Sequence, residues 1–220
     1  KKLFKMNDNL FETQYDVTKK SKFRKLYDAN KLLIFSTLFV LIIASISFSF
    51  YAVSREKKQI LLADNYMVAI FYLQNNERDK GRKILKEIIL ANNRTYSTLS
   101  LFLILDEDLV DDQREISNLF DHLLANNKFE QEVKNLIIFK KTLFLSNFAN
   151  ELEMVENAKQ LINTNTLWKP HALLLLGDYF SSKKQYLKAK EFYVQILSLQ
   201  NLNMELYEQA RSQLLLITND

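Results

Sequence analysis

Two histidines are the main candidates for acid–base or metal chemistry in this chain, because it contains no cysteine. His122 lies in the sequence LFDHLL, beside apolar positions of a predicted helix, and His171 directly follows Pro170. Neither histidine stands in an H-E-x-x-H spacing, and the lack of cysteine excludes thiolate ligands, thiol catalysis and disulfides. We therefore expect a structural role for His122 and no metal site.

The spacing of the other residue types that could carry chemistry does not indicate a binding or catalytic site either. The acidic run DEDLVDD, residues 106–112, could attract a cation, but it lacks the ligand spacing and the glycine of an EF-hand. Gly81 and Gly177 are isolated, so no glycine-rich loop is available to hold a phosphate. No serine stands with a histidine in a known catalytic signature. We expect no enzymatic activity, no cofactor and no small-molecule substrate.

One long apolar segment indicates that the chain is anchored in a membrane. Between Leu32 and Val53 the chain reads LLIFSTLFVLIIASISFSFYAV, without a charge, a glycine or a proline. As a helix it would be about 33 Å long, enough to cross a hydrocarbon core of ~30 Å. A buried core helix and a cleavable signal peptide are the alternatives, but the run has no polar face and is longer than a signal core. The segment predicts a single-pass membrane protein.

The charge around this segment predicts its orientation. Residues 1–31 carry nine Lys or Arg against four acids, whereas residues 55–58 carry three Lys or Arg and one acid. The positive-inside rule therefore places residues 1–31, a basic amphipathic segment, in the cytoplasm and residues 54–220 on the other side of the membrane, which for a bacterial inner membrane is the periplasm. The excess of positive charge suits anionic lipid headgroups. Residues 59–220 are slightly acidic, which argues against nucleic acid as a partner.

Composition predicts that the rest of the chain is all-α. Two glycines and one proline leave almost no signals for hairpin turns, and apolar residues recur at helical spacing, as in Ile84, Leu85, Ile88 and Ile89. Polar breaks recur at intervals typical of helices joined by short turns. These breaks are residues 75–76, 92–93, 111–112, 126–127, 147–150, 163–165, 181–182 and 200–201.

Residues 168–197 resemble one tetratricopeptide (TPR) repeat, in which small residues let two helices approach and large ones fill the gap between them. The residues that carry this resemblance are Leu173, Leu176, Gly177, Phe180, Tyr186, Ala189 and Tyr193. Gly81 occupies the small-residue position of an earlier, degenerate unit. Residues 94–126 and 129–163 predict two further hairpins, and residues 202–217 a solvating capping helix. We expect one transmembrane helix followed by a degenerate TPR-like α-solenoid of about four helical hairpins plus a cap.

The TPR resemblance also implies a ligand groove. In the last full repeat, His171, Leu174, Asp178 and Ser181 would face it. This set differs from the Lys/Asn clamp with which chaperone-binding TPRs hold a peptide carboxylate, so capture of a C-terminus is not expected.

Over most of its length the chain resembles the YfgM-like ancillary translocon subunits of the alphaproteobacterial type. The resemblance lies in the order of parts, from the segment containing FETQYDV, through the anchor, to the sequences EVKNLIIFKKTLFL and NTLWKPHALLLLGD. It implies a non-enzymatic interaction protein whose partners are a SecYEG-type translocon, periplasmic chaperones and membrane lipid. The alternative is a generic TPR scaffold for another envelope complex, in division or secretion.

Overall fold

In the computed structural model, which describes residues 22–218, the chain is all-helical, with one long apolar helix followed by helical hairpins. The predicted fold class is thereby confirmed for the described part. The predicted basic segment 1–31 lies largely outside the described residues. The helices are α1 (Lys22–Gln74), α2 (Arg78–Leu90), α3 (Arg94–Asp106), α4 (Gln113–Asn126), α5 (Gln131–Leu145), α6 (Glu151–Ile162), α7 (Lys169–Ser182), α8 (Tyr186–Leu197) and α9 (Met204–Thr218).

Helix α1 contains the predicted membrane span from Leu32 to Val53. Its stretch Ala29–Gln74 is a candidate span by length and composition, with a mean hydropathy of 2.4 in its most apolar window and none of that window buried. The backbone leaves helical geometry only at Asn30 (φ −121°, ψ 23°). Hydroxyl groups inside the span donate to backbone carbonyls of the preceding turn, as from Ser45 to Leu41 at 2.9 Å. These hydroxyl protons are therefore hydrogen-bonded within the helix and do not require water.

The chain divides into two compact units, Lys1–Lys58 and Gln59–Asp220. The division follows Lys58 rather than Val53, the end of the predicted span. The second unit begins within α1, whose last turns pack against α2 at Ala69 and Leu73. The pairs α3 with α4, α5 with α6 and α7 with α8 follow as successive hairpins, and α9 packs against α7 and α8.

Asparagine and aspartate residues explain where most of these helices begin and end. The left-handed conformation that terminates a helix occurs at Asn76, Asn92, Asp108, Lys184 and Asn201, and short polar side chains tolerate it better than most. Other residues of the polar breaks cap the next helix: the side chains of Asn93, Asp112, Asn150 and Asn203 accept hydrogen bonds from backbone N–H groups of its first turn. Two predicted breaks fall inside helices in whole or in part, because α4 continues through Asn126 and α7 through Ser182.

The second unit has two hydrophobic clusters. One is built from α1 to α5 and is centred on the buried side chains of Leu85, Leu101 and Phe120. The other is built from α5 to α9 and is centred on Phe180 and Tyr193. Phe144 of α5 packs against both clusters.

Candidate binding groove

An open concave site of the hairpin unit lies between α5, α7 and α9. It is an open cavity of about 740 Å³. From α7 it is lined by His171, Leu174 and Asp178, which share one helix face because they are three and four residues apart. From α5 it is lined by Phe139 and Leu143. The cavity therefore combines apolar walls with a few charged groups, the usual composition of a ligand site.

Helix α9 and the connection before it form the opposite wall. Leu202 comes from this connection, and Glu205, Leu206 and Gln209 come from α9. The sequence predicts α9 only as a solvating cap, whereas its first turns also complete the groove. The spacing of Leu202, Leu206 and Gln209 marks one helix face, but nothing local assigns that face to α7.

Three of the four residues expected to face the groove line it. His171, Leu174 and Asp178 are brought together, whereas Ser181 is not part of the lining. Ser181 instead lies beside the hydroxyl group of Tyr193. It follows Asp178 by almost one helical turn, so it continues the same face, but beyond the end of the cavity.

Asp178 is the half-buried carboxylate of the groove. The Tyr193 hydroxyl donates to its Oδ1 atom at 2.7 Å. Burial raises the pKa of Asp178 above its ordinary value, and the hydrogen bond from Tyr193 only partly opposes this. Burial, followed by the interaction with Asp178, also raises the pKa of Tyr193, so the phenol keeps its proton and remains the donor.

The predicted packing residues hold this pair in place. Leu173, Leu176, Gly177, Phe180, Ala189 and Tyr193 are all buried where α7 and α8 meet. A Cβ atom on Gly177 would lie 2.8 Å from Cδ1 of Tyr193 and closer still to Cε1, so the ring rests directly on the glycine backbone. Gly81 is likewise buried, against Leu73.

Tyr186 does not join this packing. It is 41 % exposed, so its expected role between the helices is corrected. It is the first residue of α8, whereas the buried residues Ala189 and Tyr193 lie one and two turns further along the helix.

A polar network fixes the connection between α6 and α7 beside the groove. The Thr166 hydroxyl donates to Oε2 of Glu132 at 2.8 Å and accepts from the buried amide of Asn135 at 2.9 Å. Next to it, Trp168 stacks on Phe139 with ring centroids 5.4 Å apart. His171 completes a group of three rings, 5.6 Å from Trp168. Sequence reasoning did not find this network, because its members lie more than thirty residues apart.

His122 and the acidic run of residues 106–112 have structural partners. Nε2 of His122 lies 2.8 Å from Oδ1 of Asn92, which joins α4 to the end of α2. In the acidic run, Asp112 caps α4, and Arg78 donates to the carbonyl groups of Glu107 and Asp108. In the described part of the chain, no group of three or more His, Asp or Glu side chains is arranged to hold a metal ion.

A smaller apolar groove of about 380 Å³ lies between α3 and α5. Its walls include Leu99, Phe102 and Val133, and the Lys140 ammonium lies over the Phe102 ring at 5.5 Å. The first helices of hairpins form walls of both grooves. The smaller groove differs because no half-buried carboxylate lines it.

These features define a class of protein: an all-helical chain that joins a candidate membrane span to a hairpin domain with an open groove. Compared with protein-family models, curated proteins and solved structures, the chain matches none.

Proposed function

We propose that this chain is a single-pass membrane protein whose TPR-like domain binds segments of other proteins. The observation that carries the proposal is the groove across α5, α7 and α9, because it pairs apolar walls with separated charged groups. Stacked helical hairpins commonly bind partners on such a surface. The small residue at Gly177, packed under the large ring of Tyr193, supports the TPR-like description.

The proposed cellular location is a bacterial inner membrane, with the N-terminus in the cytoplasm and the hairpin domain in the periplasm. The apolar helix and the surplus of basic residues before it support this orientation. A reporter protein fused to each terminus tests it, and a cytoplasmic C-terminus would overturn the periplasmic assignment.

We propose as partners a SecYEG-type translocon and periplasmic chaperones, on the strength of the resemblance to YfgM-like subunits. The mechanism is positional. An anchored binding domain raises the effective concentration of its groove for chains that emerge at the same membrane, without any increase in affinity for each contact.

Copurification in mild detergent tests this function, with two matched substitutions of exposed aliphatic residues. Leu143 lines the groove and is 42 % exposed, whereas Val194 on α8 lies outside the groove and is 47 % exposed. Because both side chains face water, Leu143→Glu and Val194→Glu should both fold. We expect translocon subunits and chaperones to copurify with the parent chain and with Val194→Glu, and to be depleted at least about tenfold with Leu143→Glu, since a buried unpaired charge weakens binding strongly.

Enrichment of a division or secretion complex instead would replace the translocon assignment with the generic scaffold. If every copurifying protein binds Leu143→Glu as well as the parent chain, the groove is not a protein-binding site and the proposed function is wrong.

A further inference from the structure

Asp178 has no cationic partner among the residues that the structure describes. Among the side chains that the structure describes, no Lys, Arg or His forms an ion pair with it. Its one side-chain donor is the neutral Tyr193 hydroxyl, which binds Oδ1. A carboxylate has about four acceptor positions, so Asp178, half-buried at the cavity wall, can accept further hydrogen bonds from a ligand.

The position of this carboxylate is rigid. Tyr193 is fully buried, its ring lies on Gly177, and its hydroxyl fixes Oδ1 of Asp178. Asp178 is the next residue after Gly177 on the same helix, so α7 and α8 together hold the carboxylate without help from a ligand. Such preorganisation favours binding, because little order remains to be imposed.

The charges of the groove are separated along α7. Lys169 and His171 line it near the start of the helix, whereas Asp178 lies about 10 Å further along the axis. Across the groove, Glu205 of α9 adds a second carboxylate. From α5, Phe139 lies beside His171, with ring centroids 5.9 Å apart, and Leu143 follows it by about one helical turn, so both offer apolar surface to the groove. The Asp178 end is thus complementary to a cation flanked by apolar groups.

We propose that Asp178 binds the cationic end of a lysine or arginine side chain, presented by a protein segment whose neighbouring apolar side chains pack on Phe139 and Leu143. A charge-assisted hydrogen bond of this kind is about twice as strong as a neutral one, and it would use the free capacity of the carboxylate. The inference rests on the proposed function, because it names the chemistry of the segment that the same groove accepts.

The effect of Asp178 on stability distinguishes this role from a structural one. Its pKa is raised by burial, so the folded protein holds the proton more tightly than the unfolded chain does. Stability therefore falls as the pH rises from the ordinary aspartate range through this raised pKa. The other charged or titratable groups at this site are Lys169 and His171 on α7, Tyr193 on α8 and Glu205 on α9. Asp178→Asn keeps an acceptor for Tyr193, so we expect it to match or exceed the parent in melting temperature at neutral pH.

The binding test uses two fluorescent peptides with the same leucine and phenylalanine residues and a central residue that is lysine in one and norleucine in the other. The full chain in detergent is titrated against each, with fluorescence anisotropy as the measurement. We expect the lysine peptide to bind about tenfold to a hundredfold more tightly. Asp178→Asn should remove this preference, whereas Glu191→Gln, which deletes an exposed charge on α8 outside the groove, should keep it.

Equal binding of the two peptides, no binding of either, or a preference that survives in Asp178→Asn would overturn the proposal. A marked loss of stability in Asp178→Asn would also contradict it. Copurification that depends on Leu143 but shows no preference for lysine would reject only this inference and leave the proposed function standing.

Discussion

Gly177 shows how a single small residue controls the groove. It lies in a helix with ordinary backbone geometry, so its role is the space it leaves rather than conformational freedom. The ring of Tyr193 fills that space and then reaches Asp178 through its hydroxyl. The approach of α7 to α8 and the position of the carboxylate are therefore consequences of the same residue.

Replacement of Gly177 by alanine should reduce stability more than the same replacement at Gly81. Gly177→Ala drives a methyl group into a fully buried ring, and we expect a loss of about 1–3 kcal/mol, partly offset by the better helix propensity of alanine. Gly81→Ala meets Cδ2 and Cγ of the half-buried Leu73 side chain, which can shift, and lies 3.2 Å from the Ala69 carbonyl oxygen, so we expect a smaller loss than for Gly177→Ala. Urea unfolding followed by circular dichroism measures both, and equal losses would contradict the packing described.

At the scale of the elements, the connection between α6 and α7 is held as firmly as the helices it joins. Thr166 is buried and links α5 to this connection through Glu132 and Asn135. Because Trp168 follows directly and stacks on Phe139, the network also positions aromatic surface beside the groove.

Thr166→Val removes the hydroxyl while keeping the shape, and leaves the buried Asn135 amide without its partner. We expect a loss of about 1–3 kcal/mol in unfolding free energy. We also expect a red shift of tryptophan emission, since Trp168 is the only tryptophan in the chain. Thr164→Val serves as the control, because that exposed hydroxyl bonds only within its own helix end, to Gln160. If the two variants show the same emission, Thr166 does not order the connection.

The sequence predicts the elements well where local chemistry decides them. Asn92 and Asn93 end one helix and begin the next, because their side chains tolerate the left-handed backbone and cap N–H groups. The predicted break at residues 181–182 comes before the end of α7, because the residue that adopts the left-handed backbone is Lys184, a type with no such preference. In the groove, the face of α7 follows from the 3.6-residue period, but the α9 wall and the Thr166 network depend on contacts between residues far apart in the chain.

At the scale of the hairpin unit, two hydrophobic clusters share one side chain. Phe144 contacts Phe120 in the first cluster, with ring centroids 6.4 Å apart, and Phe148 beside the second, at 4.9 Å. In stacked repeats each unit is stabilised by its neighbours, so a residue common to both clusters couples their unfolding.

Phe144→Ala should therefore weaken cooperativity as well as stability. We expect a loss of about 1–3 kcal/mol, below the ~3–5 kcal/mol of a fully buried phenylalanine, together with a shallower or two-step urea transition. Phe192→Ala is the matched control, because Phe192 is also half-buried but packs only on the second cluster, stacked on Phe180 at 5.5 Å. A single transition of unchanged slope in Phe144→Ala would show that the clusters unfold together without it.

The position of α9 late in the chain determines when the groove can form during synthesis. Synthesis proceeds from the N-terminus at about 5–20 residues per second, so the apolar stretch of α1 is complete roughly 8–30 s before α9 begins. Helix α7 ends 22 residues before α9 begins, so α5 and α7 exist without the helix that closes their groove for about 1–4 s. The apolar stretch of a newly made chain is thus complete well before the groove has its third wall.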